Sequence, residues 1–153
     1  MKTVDVLDLP DDARALIAES EISGRQTLFE RNGRPVAILV SYDEYLALRE
    51  TIDIANDPEL VGRIQEAGAD ETIDRISPKH ERVRVAAQAT LDDDAMGTAT
   101  SEALARIDDD PIAGAPLFAP LKGLWSYRTG PVRIVYRIDA EARVIVVLGI
   151  TKA

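Results

Sequence analysis

The residues with the clearest chemical reach lie between Pro120 and Ile138. This stretch carries Lys122, Arg128, Arg133 and Arg137 and no carboxylate. Thr129-Gly130-Pro131 separates two runs of strand-type residues, which predicts a hairpin. In the second run Val132, Ile134, Tyr136 and Ile138 alternate with Arg133, Val135 and Arg137. A two-residue period sends the first set to a buried face and both arginines to the other, open face. A row of guanidinium groups suits phosphate or carboxylate recognition, because each offers a rigid fork of N–H donors. The same row also fits an ordinary solvated face, and one strand does not choose between the two.

The rest of the chain gives that basic segment a context. Residues 1–74 hold 7 basic and 17 acidic residues, a balance of −10. Residues 75–119 stand at −3 and residues 120–153 at +4, giving the net −9. An acidic front and a basic tail in one chain suggest that the two ends neutralise each other. The 153 residues allow one ordinary domain or two small ones, and 46% hydrophobic content supports a packed core. The absence of cysteine excludes disulfides, thiolate metal sites and a thiol nucleophile. No apolar run approaches the roughly 18 residues of a membrane span, and the N-terminus lacks a signal-peptide core. The expectation is a cytoplasmic protein with no membrane association, no metal and no cofactor.

The elements that must position the basic segment follow in order. Thr3–Leu7 alternates and reads as a short strand. Pro10 and Asp11 start a helix with Ala13, Leu16 and Ile17 on one face, and Gly24 ends it. Strands over 26–30 and 35–41 flank Asn32-Gly33, a strong hairpin signal. Val36–Val40 is apolar throughout, which predicts burial on both sides. Ser41 and Glu44 form a capping box, with Tyr45, Leu48 and Ile52 as the apolar stripe behind it. Asp57-Pro58 starts another helix, whose stripe is Leu60, Val61 and Ile64. Residues 68–80 read as a linker that contains His80, the chain's single histidine. Beyond it come a strand over 83–87, a weak helix over 89–96 and a better one over 101–107. The latter ends on Asp108-Asp109-Asp110, three carboxylates that oppose the helix dipole. A turn region, the basic hairpin and an apolar strand over 143–150 complete the chain.

Two family resemblances account for most of this order. Residues 3–67 resemble the Phd/YefM antitoxins, through Arg31–Ser41, Asp43-Glu44-Tyr45, Leu48–Thr51 and Asp57–Leu60. Such antitoxins dimerise through an N-terminal α/β domain, bind operator DNA and wrap a toxin with their C-terminal part. Residues 81–150 resemble the RelE/ParE toxins. The carriers are Asp110-Pro111, Pro120–Leu124, Tyr127-Arg128, Val132–Tyr136 and Leu148-Gly149-Ile150. RelE-type members cut mRNA on the ribosome, and ParE-type members poison DNA gyrase. The implied fold is α+β: a Phd/YefM-like domain over 1–67, a linker over 68–80, and an antiparallel sheet with a helical hairpin over 81–153. The whole reads as an antitoxin–toxin fusion, an acidic segment covering a basic sheet. A linker of this length reaches roughly 40 Å when extended, so the cover lies in cis or is swapped within a homodimer.

The resemblance also implies roles. RNA cleavage of this type needs no metal: a 2′-hydroxyl attacks the adjacent phosphate while cations stabilise the growing charge. Arg133 matches the phosphate-stabilising arginine, with Arg128 and Lys122 as substrate contacts. Active RelE-type toxins carry a further basic residue and an acid/base Tyr or His after the last strand. Here the sequence ends at Ala153, so the expectation is an attenuated toxin half. Lys2, Arg14, Arg31 and Arg34 are the candidate operator contacts, since they fall where antitoxins of this kind meet DNA. Three readings follow: a silent, DNA-binding regulatory fusion; a ribosome-dependent endonuclease released by removal of its inhibitor; and a gyrase-directed remnant.

Overall fold

The computed structural model describes residues 2–69, 82–86 and 97–152. It is an α+β protein of two compact units, residues 1–46 and 47–153. The expected helix over 89–96, most of the linker over 68–80, and His80 lie outside the described residues.

The first unit opens on a 3-10 turn over Val6–Asp8 rather than the expected strand. The Asp5 carboxylate accepts a hydrogen bond from Leu7 N at 2.9 Å. That local bond competes with any strand ladder. Helix α1 spans Asp11–Ser23 and stops at Gly24, whose φ of 64° is left-handed. Strands β1 (Thr27–Arg31) and β2 (Arg34–Leu39) pair antiparallel around Asn32-Gly33. Both turn residues have positive φ, as a two-residue hairpin of this twist requires. The expectation that Val36–Val40 is buried on both sides fails. Leu28, Phe29, Val36 and Ile38 are all exposed, because a two-stranded ribbon leaves two faces and this unit has too few elements to cover them.

Helix α2 (Tyr42–Ala55) starts where Ser41 Oγ accepts from Glu44 N at 3.1 Å. The reciprocal half of the capping box is not made; Glu44 instead accepts from the Gln26 side chain. The helix also turns a different side inward from the one expected. Ala47, Thr51 and Ile54 are buried, while Tyr45, Leu48 and Ile52 are exposed. Helix α3 (Pro58–Ala69) is capped as its sequence predicts, with Leu60 N donating to Asp57 Oδ1 at 3.0 Å. It buries Leu60, Ile64 and Ala67.

The second unit is built on five strands in the order β3-β7-β6-β5-β4. They span Val83–Val85 (β3), Ala115–Pro116 (β4), Leu124–Thr129 (β5), Val132–Asp139 (β6) and Val144–Lys152 (β7). The sheet is mixed rather than wholly antiparallel, because β3 joins β7 in parallel at the edge. Helix α4 (Gly97–Asp109) adds Ala103, Leu104 and Ile107 to the core. At its end, the Asp108 and Asp110 carboxylates pair with Arg82 and Arg106 at 3.4 Å each. These arginines supply the local partners that the acidic run calls for.

Both faces of the sheet are covered. On the face of Ile134 and Tyr136, the buried Tyr136 hydroxyl donates to Pro111 O at 2.8 Å and accepts from Gly114 N at 3.3 Å. A Cβ at Gly114 would lie 2.7 Å from that hydroxyl and from Ser126 O, so only glycine lets the loop after α4 close down. On the opposite face sit α3 and the second half of α2. A Cβ at Gly149 would lie 2.7 Å from Leu60 Cδ1. Gly149 is therefore the notch in β7 that seats α3.

Two outcomes test this packing. Gly149→Val should destabilise the protein by about 1–3 kcal/mol, the usual cost of overpacking. Amide exchange should quicken most in α3. Burial raises the Tyr136 hydroxyl from 10.0 to about 12. A raised folded-state value holds the proton more tightly than the unfolded chain does, so its contribution is complete below pH 10 and fades toward pH 12. Denaturation at pH 9 and pH 11.5 should show wild type losing about 2 kcal/mol more than Tyr136→Phe. Equal losses would contradict this account of Tyr136.

Candidate functional site

The two-residue turn of the basic hairpin fixes its register. Thr129 pairs with Val132, so Arg128 stands directly opposite Arg133. Ser126 lies two residues back on β5, opposite Val135 and on the same face. Two like charges facing each other across a strand pair are unfavourable by several tenths of a kcal/mol. An anion between them relieves that repulsion.

The anion is Glu50. Its Oε1 accepts from Arg133 Nε at 2.6 Å and from Ser126 Oγ at 2.7 Å. Its Oε2 accepts from Arg133 Nη2 at 3.3 Å and lies 3.9 Å from Arg128 Nη1. A second carboxylate from the same helix, Asp53, lies 3.8 Å from Arg133 Nη2. The Arg133 and Glu50 side chains are 8% and 12% exposed, whereas Arg128 is half exposed at 51%. Arg133 is thus clamped in a nearly dry setting, and Arg128 closes the site from its rim.

Helix α2 delivers these groups by spacing. Ala47, Glu50, Thr51 and Ile54 recur at i, i+3, i+4 and i+7 and form one side of the helix. Thr51 secures the docking, since its Oγ1 donates to Ala47 O at 2.8 Å and accepts from Phe118 N at 3.0 Å. Phe118 belongs to the segment leading into the basic hairpin, so the helix is fixed to the sheet and to its entry loop.

The sequence-predicted cations are only partly brought together. Arg133 and Arg128 share the Glu50 carboxylate, but the expectation that Arg133 lies on an open face is overturned. It is buried, because α2 covers the face on which the alternation places it. Lys122 is exposed in the turn before β5 and makes none of these contacts. Arg137 is half-buried toward the far end of β6. In the first unit Arg31 and Arg34 face each other across the Asn-Gly turn and are exposed. Arg14 pairs with Asp11 one helical turn away, and Lys2 is exposed at the chain start. Sequence reasoning missed Ser126, Glu50 and Asp53. The hairpin register points to Ser126 and the i, i+3, i+4, i+7 side of α2 to Glu50; Asp53 lies beside that side, one helical turn after Glu50.

Among the described residues, no group of three or more His, Asp or Glu side chains is gathered to hold a metal, and no helix is long and apolar enough to cross a membrane.

The site should act as one unit. Glu50→Ala leaves buried Arg133 with only the looser Asp53 pair at 3.8 Å, and should cost about 3 kcal/mol, the lower end for breaking a buried pair. A double-mutant cycle with Arg133→Met should return a coupling above about 1 kcal/mol. Additive losses in denaturant melts would refute the clamp.

Residues 79–153 match the family model of the ParE toxin of type II toxin–antitoxin systems, parDE. This part of the chain is a ParE-type toxin domain. Among solved structures, the chain is similar to the toxin–antitoxin complex RelBE2 from Mycobacterium tuberculosis. That match has 28% identity and a TM-score of 0.42, and covers 46% of this chain and 95% of that one. No curated protein matches the chain.

Proposed function

With a ParE-type toxin domain over residues 79–153 as the premise, we propose that the chain is a fused type II toxin–antitoxin protein. Residues 1–67 are its antitoxin, of the Phd/YefM kind. The second half of α2 and α3 hold the toxin domain silent in cis. One observation carries this reading: a carboxylate from outside the toxin domain is clamped by Arg133, Ser126 and Arg128 on the domain's own sheet. An acidic helix that closes a cationic face is what an inhibitor of that face requires. With Glu50 on it at 2.6 Å, the Nε–Nη2 edge of the Arg133 guanidinium is closed to any other ligand.

The first unit has the attributes of a dimeric operator binder. Its hairpin exposes Leu28, Phe29, Val36 and Ile38. A groove of about 300 Å³ lies beside them, lined by residues 38–42 and Tyr45. A second copy of the chain is the occupant that fits an exposed two-stranded ribbon of this kind. Lys2, Arg14, Arg31 and Arg34 then supply the phosphate contacts of the dimer. Freed of its cover, the toxin domain presents Arg133 and Arg128 to its target, with Lys122 nearby in sequence as a further contact.

Growth assays and DNA binding separate these parts. Induced residues 79–153 should slow growth more than the full-length protein does, in keeping with an attenuated toxin half, and full-length Glu50→Arg should fall between the two. Equal growth in all three would remove the silencing role. The full-length chain should retard the DNA upstream of its own coding region in a gel. Replacing Arg31 or Arg34 by alanine should lower the slope of log K against log salt by about one each. A wild-type complex indifferent to salt would refute operator binding.

A further inference from the structure

We infer that the far end of the sheet holds a second binding site, whose ligand is an apolar group that carries one carboxylate. The site is separate from the Arg133 cluster and does not depend on what α2 and α3 do there.

It is a recess of about 370 Å³ beside the turn that joins β6 to β7. That volume falls within the usual range of small-molecule pockets. Ile138 and Ile145 are register partners on one face of the sheet, so together they make an apolar floor. Pro111, from the loop after α4, forms one wall. The Tyr136 hydroxyl holds that wall in place through its bond to Pro111 O. A floor of this kind favours an apolar body that displaces water from it.

Three charged residues line the same recess: Arg82, Asp139 and Arg143. Two of them are already committed. Arg82 is fixed at both ends. Its carbonyl accepts from Ile145 N at 2.7 Å, and its guanidinium donates to Asp108 O and lies 3.4 Å from the Asp108 carboxylate. Asp139 Oδ1 accepts from Ala142 N at 2.9 Å and so closes the turn. Arg143 differs from both. It is exposed, and among the described residues it has no carboxylate within ion-pair distance.

The recess thus combines an apolar floor with one unmatched cation at its mouth. An apolar carboxylic acid answers both features: its body covers Ile138 and Ile145, and its charge meets Arg143. A small, highly charged anion leaves the floor uncovered, and an amine brings the wrong sign. Such a ligand touches the start of β3, the loop after α4 and the β6–β7 turn together. Binding therefore ties three separate parts of the chain and stabilises the folded state.

The test uses the full-length chain at constant ionic strength, with octanoate as the probe. Octylamine controls for charge and acetate for the apolar body. Octanoate should shift the amide resonances of Arg82 and residues 138–145. It should also raise the melting temperature by about 3 °C or more at roughly ten times its dissociation constant. Acetate and octylamine should do neither at the same concentrations. Arg143→Asn should weaken octanoate binding by about fivefold or more. Asparagine tolerates the left-handed backbone that Arg143 adopts at φ 55°, so this variant keeps the turn. Ile138→Phe, which fills the recess from its floor, should weaken binding as well. Should either variant fail to fold, the resonance map of the wild type decides alone. Octylamine matching octanoate, shifts confined to other parts of the chain, or Arg143→Asn binding as the wild type does, overturns the assignment. A leucine-terminated tripeptide forms a further arm, since its free chain end carries the same chemistry. Tighter binding of the tripeptide than of octanoate assigns the carboxylate to a peptide end, and weaker binding assigns it to a small acid. Either result supports the site.

Discussion

Two arginines on adjacent strands face each other, and a third element has to reconcile them. Arg128 and Arg133 are locked in register by a two-residue turn. Neither can move away without breaking the ladder. Glu50 reconciles them by placing one carboxylate against both, with the Ser126 hydroxyl filling its remaining acceptor capacity. The arrangement avoids the usual weakness of a buried ion pair. Such a pair often fails to offset the loss of hydration, but here every strong partner of the carboxylate is a fixed donor. Removing one partner is costly, because the other then remains in a dry site with its charge poorly matched.

That single contact decides which side of α2 faces inward. The helix carries two apolar stripes. Tyr45, Leu48 and Ile52 form the larger one, and hydrophobic size alone favours its burial. Ala47, Thr51 and Ile54 form the smaller one, and it is the one buried. Glu50 lies within the smaller stripe, so burying the larger would point Glu50 away from the arginines. The small residues also let the helix come close enough for a short carboxylate bond. Gly149 performs the matching service one strand over, where the missing side chain admits Leu60. Close approach and charge pairing thus reinforce each other, and Leu48 and Ile52 are left exposed as the consequence.

Much of the fold was legible in the chain, for local reasons. Asn32-Gly33, Asp57-Pro58 and Gly24 act within a few residues of themselves, and each turn, cap or stop appears where its chemistry requires. The failures share a different cause. Thr3–Leu7 alternates like a strand, but Asp5 captures a nearby amide and bends it. Val36–Ile38 reads as a core strand, but its burial depends on what else surrounds it. The alternation in β6 sorted its residues correctly between two faces. It carried no information on whether the second face was open. Periodicity reports which residues travel together, not what lies above them.

The site followed the same rule and was less legible still. Arg133 and Arg128 stood out because residues 120–138 carry four cations and no carboxylate in an otherwise acidic chain. Their partner did not, since Glu50 is one carboxylate among 27 acidic residues. Composition cannot single it out; geometry can. Once the hairpin is drawn with its two-residue loop, Arg128 and Arg133 must oppose each other, and an anion must come from elsewhere. A helix that holds a glutamate among small residues at i, i+3, i+4 and i+7 is the element able to bring one close. The basic hairpin meets carboxylates of α2 at one point, where 83 residues of separation close to a bond of 2.6 Å. Everything else on that face, from the threonine that fixes α2 to the glycine that seats α3, serves to hold that point shut.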